Sequence, residues 1–163
     1  NDVTHEYVDW MNDSEINKYL ESRHVVHSLD SIKAFVEAMS YDKSNFLFGI
    51  FCNKTSLHIG NIKLGPIDYR YLRAEIGLIV GNKNYWGKGI ATEAILTVCK
   101  FAAEKLKLRK VEAGCYSSNF GSKKAFEKAG FEVEGLLRGH FYCNGTSEDC
   151  LRLGKVIVSD IQQ

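Results

Sequence analysis

The spacing of apolar positions along the chain changes character twice. In the first forty residues it is helical. Tyr7, Val8, Trp10 and Met11 predict one short helix, and Ile16, Tyr19 and Leu20 a second. Ile32, Phe35, Val36 and Met39 form the apolar face of a third, which Asp30 or Ser31 would cap. A strand-like stretch follows. Phe46 to Cys52 is a run of aromatic and aliphatic residues, His58 to Ile67 alternates through Ile59, Ile62 and Leu64, and Ala74 to Val80 carries Ile76, Leu78 and Ile79. These predict an antiparallel meander with turns near Asn53-Lys54 and from Asp68 to Tyr71. The helical period then returns from about Gly89 to Leu106, through Ile90, Ala94, Ile95, Val98, Phe101 and Ala102. Lys110 to Tyr116 reads as a short strand. A helix starting at Ser118 or Asn119 carries Ala125, Phe126 and Ala129 and stops at Gly130, placed as a left-handed cap. Strand returns at Phe131, and Leu151 to Val158 is the last strand. A meander followed by alternating helix and strand is an α+β plan with a mixed, mostly antiparallel sheet.

Composition narrows the function without naming it. At 163 residues, with 45% hydrophobic and 12% aromatic residues, the chain reads as one domain, 1–163, able to bury a core. Lys plus Arg is 21 and Asp plus Glu is 20, which argues against a nucleic-acid partner held by bulk charge. No apolar run approaches the ~20 residues of a membrane span, so no membrane role is expected. Asn1 to Asn12 is too polar and acidic for a signal peptide, and without a starting Met the native chain is expected to begin earlier. The five cysteines, Cys52, Cys99, Cys115, Cys143 and Cys150, are odd in number and lack a C-x-x-C pair. The five histidines lack metal spacing. Neither a disulfide framework nor a metal site is expected, and the cytoplasm is the expected compartment.

The most informative segment is Gly77-Leu78-Ile79-Val80, then Gly81 to Trp86, then Gly87-Lys88-Gly89-Ile90-Ala91. A strand runs through a glycine loop into a helix, whose free N–H groups and dipole favour an anion. Lys88 adds a formal charge. A glycine pair can also serve a tight turn alone. Two nucleotide motifs fail here. Gly81 and Gly87 enclose one residue too many for a P-loop, and Gly89 stands where the magnesium-binding hydroxyl would be. A dinucleotide fingerprint would want Gly or Ala where this chain has Thr92.

Asn84-Tyr85-Trp86-Gly87-Lys88-Gly89-Ile90-Ala91 resembles the pyrophosphate loop of the GNAT superfamily of acetyl-CoA-dependent N-acetyltransferases, whose pattern is Q/R-x-x-G-x-G/A. Asn84 at its first position is a departure common in the branch of ribosomal-protein N-terminal (alanine) acetyltransferases. Asn119-Phe120-Gly121-Ser122 and Ala125 to Phe131 resemble the superfamily's N-x-x-S/A and E-K-x-G-F segment. The resemblance covers nearly the whole chain, with the usual first strand missing or truncated at Asn1.

The resemblance implies a splayed strand pair that receives acetyl-CoA. Leu78, Ile79 and Val80 would offer backbone groups to the pantetheine arm, Val80 N–H serving the thioester oxygen. Trp86, Gly87, Lys88, Gly89, Ile90 and Ala91 would make the pyrophosphate loop. Asn119 would bond the pantetheine arm with Ser122 close by, although an ordinary N-cap would also place an Asn there. The implied reaction is direct acetyl transfer to a primary amine, on a protein N-terminus, an amino sugar or a small metabolite. An alkyl ammonium must lose its proton before it attacks. Glu75 is the first choice for the base, with an ion pair to Arg70 or Arg73 as its ordinary alternative, and Glu112 is the reserve. Glu21, Arg23 and Asp149 are the candidates for the acceptor side. Phe126 occupies the position, seven residues beyond Asn119, where many members carry an acidic Tyr. Ser122, Tyr116 or Tyr142 would have to replace it, or the thiolate leaves unaided. That departure also admits a CoA-binding sensor or partner module without catalysis. The chain is expected to be a monomer or homodimer.

Overall fold

The computed structural model describes residues 3–143 and 145–157; of Cys143 only the backbone is described. The helices are α1 (His5–Asn12), α2 (Leu29–Tyr41), α3 (Ile90–Glu104) and α4 (Phe120–Lys128). The strands are β1 (Phe46–Phe51), β2 (His58–Asp68), β3 (Arg73–Val80), β4 (Lys110–Tyr116), β5 (Glu132–Cys143) and β6 (Thr146–Val156). They form one six-stranded sheet in the order β1-β2-β3-β4-β6-β5. Among the described residues, β3 pairs with β4 in parallel and every other pair is antiparallel. This is the α+β architecture that the periodicity predicts. Beyond the described residues lie Val158, the expected end of the last strand, and Asn1, where the missing first strand was expected.

Side chains alternate across the sheet and so sort themselves into two layers. Ile76 of β3, Val111 and Ala113 of β4 and Leu153 of β6 face one way. They bury Ile95, Val98 and Ala102 of α3 and Phe126 of α4. The opposite face receives the smaller layer, in which Tyr7 and Trp10 of α1 and Ile32 of α2 pack with Ile79 of β3. That second face also carries Glu75.

Three expectations are corrected at element boundaries. Ile16, Tyr19 and Leu20 do not form a helix. The Asp13 carboxylate accepts the backbone N–H groups of Glu15 (2.8 Å) and Ile16 (3.2 Å), and this local capture competes with a helical ladder. The chain then makes a 3-10 turn over Glu21–His24. The cap of α2 is Ser28, not Asp30 or Ser31. Ser28 Oγ accepts from Ser31 N–H, and Ser31 Oγ accepts from Ser28 N–H, closing a reciprocal box. Strand β6 begins at Thr146, five residues before Leu151. Its polar start, Thr146 to Asp149, pairs with the end of β5 at an exposed hairpin arm, where no core imposes apolar alternation.

Candidate active site

Strands β3 and β4 start as neighbours and then part. Their register runs only through Arg73↔Lys110, Ala74↔Val111 and Glu75↔Glu112. Beyond that point β3 stays paired with β2 as far as Val80, and β4 stays paired with β6 as far as Tyr116. A gap therefore opens in mid-sheet. Backbone alternation says which groups line it. Leu72 C=O accepts from Arg109 and Lys110 on the β4 side (2.7 and 3.2 Å), whereas Gly81 N–H donates to Ile59 C=O on the β2 side (2.9 Å). Even-numbered residues of β3 thus aim their backbone groups at β4, and odd-numbered ones at β2. Leu78 and Val80 face the gap. Ile79, opposite Asn61, turns its backbone toward β2 and gives its side chain to the Tyr7–Trp10–Ile32 layer.

The loop at the mouth of the gap is tied at three points. Trp86 Nε1–H donates to Val80 C=O (2.7 Å), which leaves the Val80 N–H as the group aimed into the opening. Lys83 bridges Asp13 (2.9 Å) and Glu15 (2.6 Å), joining the loop to the end of α1. Lys88 lies over the Tyr85 ring at 5.8 Å. Gly87 and Gly89 have φ of +71° and +83°, a left-handed conformation that side chains disfavour. Gly89 is the N-cap of α3, and no side chain caps that helix. The N–H groups of the first turn, from Ile90 and Ala91 onward, are thus open to an anion. Gly89→Ala would force Cβ into the left-handed region at about 1–2 kcal/mol, so acetyl-CoA affinity should fall roughly five- to thirtyfold. Calorimetric titration checks this, and an unchanged Kd would place the phosphates elsewhere.

Glu75 is the last paired residue of β3 before the gap. Its partner is neither Arg70 nor Arg73 but Arg152 of β6, at 2.7 Å. The guanidinium reaches Glu75 by crossing β4 at Gly114, whose register partner is Arg152. A Cβ at Gly114 would stand 2.8 Å from Arg152 Nη1 and 3.5 Å from Glu75 Oε1. The glycine makes room for the crossing. Glu112, the register partner of Glu75 on β4, is paired with Lys110 (3.4 Å) and Arg73 (3.5 Å).

Above the open end of β4 the 3-10 turn brings Glu21 and Arg23 onto Tyr116. The Tyr116 hydroxyl donates to Glu21 Oε1 (2.6 Å) and accepts from Arg23 Nη1 (2.8 Å). Burial first, and then the Glu21 contact, holds this phenol above its ordinary pKa. Phe141 stacks on the Tyr116 ring at 3.6 Å, and Tyr19 packs beside it at 5.5 Å. Asp149 accepts from Gly139 N–H (2.7 Å) and so braces an irregularity in β5. The neighbouring Glu148 accepts from Ser118 N–H (2.8 Å).

Asn119 caps α4, its oxygen accepting from Ser122 N–H (3.1 Å). Phe126 is buried against Phe131 and carries no proton to give. Burial pushes the Cys115 and Cys150 thiols up, so both stay protonated and unreactive in the core. Cys52 differs. The Thr55 hydroxyl first, then the Tyr85 hydroxyl and nearby N–H groups, bring its thiol down to about 6. Among the described residues no group of His, Cys, Asp and Glu is arranged to hold a metal.

The model of the acetyltransferase (GNAT) domain matches residues 1–132. The chain belongs to the GNAT acetyltransferase family. It is similar to the probable N-acetyltransferase YjcK of Bacillus subtilis, 39% identical over 72% of this chain and 65% of that protein, a little under two thirds of its length. It is also similar to the uncharacterized N-acetyltransferase YoaA of Bacillus subtilis, 30% identical over 83% of this chain and 77% of that protein. Among solved structures, the spermidine N-acetyltransferase of Vibrio cholerae, crystallised with CoA and spermine, superposes with a TM-score of 0.83. It is 24% identical, over 93% of this chain and 88% of that one, and so shares the fold.

The sequence reading did not bring Arg152, Gly114 or Phe141 into the site. A glycine inside a strand signals close approach of another group, and Gly114 carried that signal.

Proposed function

We propose that this chain moves the acetyl group of acetyl-CoA directly to a primary amine. The observation that carries the reading is the parting of β3 from β4 beside an uncapped helix start. The gap offers backbone groups of Leu78 and Val80 to an extended amide-bearing arm, and the first turn of α3 offers N–H groups to phosphates. Acetyl-CoA supplies a thioester with a good leaving group. Glu75 takes the proton of the incoming ammonium, through a water, as nitrogen attacks the thioester carbonyl. Val80 N–H donates to the oxygen as it gains charge, then the C–S bond breaks and the departing thiolate takes the second proton from the nitrogen, leaving the amide and free CoA thiol. Glu112, held by Lys110 and Arg73, has no part in this step. Asn119 and Ser122 border the arm at the start of α4, and Glu21 and Arg23 border the acceptor. A protein N-terminus, as in the ribosomal-protein branch, an amino sugar and a small metabolite amine all fall within this reading, and the cytoplasm is its proposed setting.

Thermal stability with acetyl-CoA, CoA, ATP and NAD in parallel tests the cofactor step. At a hundred times Kd a ligand stabilises by about 2.7 kcal/mol, which for this size is a shift of roughly 5–10 °C. Acetyl-CoA and CoA should give it, and ATP and NAD should not. Thiol release with a panel of amines then tests transfer. A shift with acetyl-CoA but silence with every amine would leave a CoA-binding module in place of an enzyme.

A further inference from the structure

Glu75 stands at the edge of open space. The next residue on its face of β3 is Gly77, and a Cβ there would meet nothing within 4 Å. Arg73, the residue before it on that face, turns to Asp68 (3.7 Å) and Glu112 (3.5 Å). A glutamate side chain is flexible, and no neighbour along its own strand selects one orientation for this one. The selection comes from two strands away. Arg152 of β6 donates from Nη1 to Glu75 Oε1 at 2.7 Å, and among the described residues no other side chain bonds to that carboxylate. Glu21, Glu112, Glu148 and Asp149 are bound to other partners, so Arg152 serves Glu75 alone.

The neighbouring strands let the guanidinium pass. Arg152 has Gly114 as its register partner on β4 and Gly135 on β5. Strands lie about 4.8 Å apart, so an arginine beside a glycine can lie along the sheet and reach across one strand. A glycine inside a strand forgoes packing, and a glycine on either side of one arginine points to a role other than packing. Stability is a poor candidate for that role. The side chains of Glu75 and Arg152 are 41% and 35% exposed, and ion pairs this open to water contribute little. Placement remains. A base that takes a proton through a water works only within hydrogen-bond reach of that water, about 2.6–3.2 Å. Arg152 occupies Oε1 and leaves Oε2 to the water.

We infer that Arg152 is a positioning residue: it fixes the Glu75 carboxylate by one oxygen and acts on acetyl transfer through Glu75 alone. The inference rests on the reading of Glu75 as the base, and names the group that this base needs.

A double-mutant cycle tests it, with thiol release as the readout and an amine that the parent chain acetylates as the acceptor. Arg152→Gln should lower kcat about ten- to a hundredfold, the cost of a reacting group displaced by about 1 Å, with the amine KM and the acetyl-CoA Kd unchanged. Its Tm should stay within about 3 °C of the parent. Arg152→Lys keeps the charge and loses the fork, and should recover part of the rate. Gly114→Ala keeps both side chains but puts a Cβ 2.8 Å from Arg152 Nη1, the end of a flexible side chain that can give way. It should reproduce the Arg152→Gln loss and add less than about twofold to it in the double variant. In the Glu75→Gln background, Arg152→Gln should cost less than about twofold, since the group it places is gone. A loss in that background as large as in the parent would mean that Arg152 touches substrate or supports the fold on its own account. That result, or Arg152→Gln at the parent rate, would overturn the inference and leave Glu75 as the base. Glu75→Gln at the parent rate, or silence with every amine, would overturn that reading itself, and the inference with it.

Discussion

Glu75→Gln should lower kcat/KM by roughly a hundred- to ten-thousandfold while the Kd for acetyl-CoA stays where it was. That range is what a positioned general base contributes. Glutamine keeps the size of the side chain and can still accept from Arg152, so the floor of the gap keeps its shape. What is lost is the group that receives the ammonium proton, and without that transfer the amine is almost wholly protonated at neutral pH. Glu112→Gln is the internal comparison. Its carboxylate comes from the same register position one strand over, but is held between Lys110 and Arg73. Its rate should stay within a fewfold of the parent. Steady-state rates for both variants against one amine decide the matter. Should Glu75→Gln run at the parent rate, Glu75 is only the partner of Arg152, and the base must be sought at the Glu21 end.

Gly81→Ala should cost about 1–3 kcal/mol of stability, or roughly 4–10 °C in Tm. Gly81 follows β3 directly, with its N–H on Ile59 C=O. The six-membered part of the Trp10 indole lies where a Cβ would go, so one methyl group displaces the ring body and not a flexible tip. Trp10 is 7% exposed and meets Tyr7 and His58 at tilted angles, so its seat is shared by the whole α1 layer. Thermal melts of Gly81→Ala, Trp10→Ala and the double variant check the mechanism. The two losses should fall well short of additive, since both empty the same seat. Full additivity would mean that Gly81 acts through its own backbone and not through Trp10.

The pattern of apolar residues carried most of the architecture because it reports burial, and burial is what sorts this sheet into two layers. Ile76, Val111 and Leu153 announce one layer by alternation, and Ile95, Val98 and Ala102 announce its helical cover by their spacing. Polar side chains that reshape the backbone locally left a fainter trace. Asp13 ends α1 and forbids a second helix by taking two N–H groups, and no apolar period registers such an event. The loop glycines were legible because a left-handed backbone narrows the choice of residue. The acceptor side was not. Glu21 and Tyr116 are 95 positions apart, as Glu75 and Arg152 are 77, and nothing in a single chain's periodicity records which charges meet across such distances.

The parting of β3 and β4 also has a mechanical meaning. The sheet is two three-stranded plates, β1-β2-β3 and β4-β6-β5, whose strands are joined in register along Arg73–Glu75 and Lys110–Glu112. Everything beyond that seam is an unlatched jaw. A ligand whose amides bridge Leu78 and Val80 toward β4 acts as the missing rung of the ladder, and it stiffens the jaw along its length. The acyl donor is then a structural member of the fold that uses it, and the second substrate meets a firmer wall than the first one found.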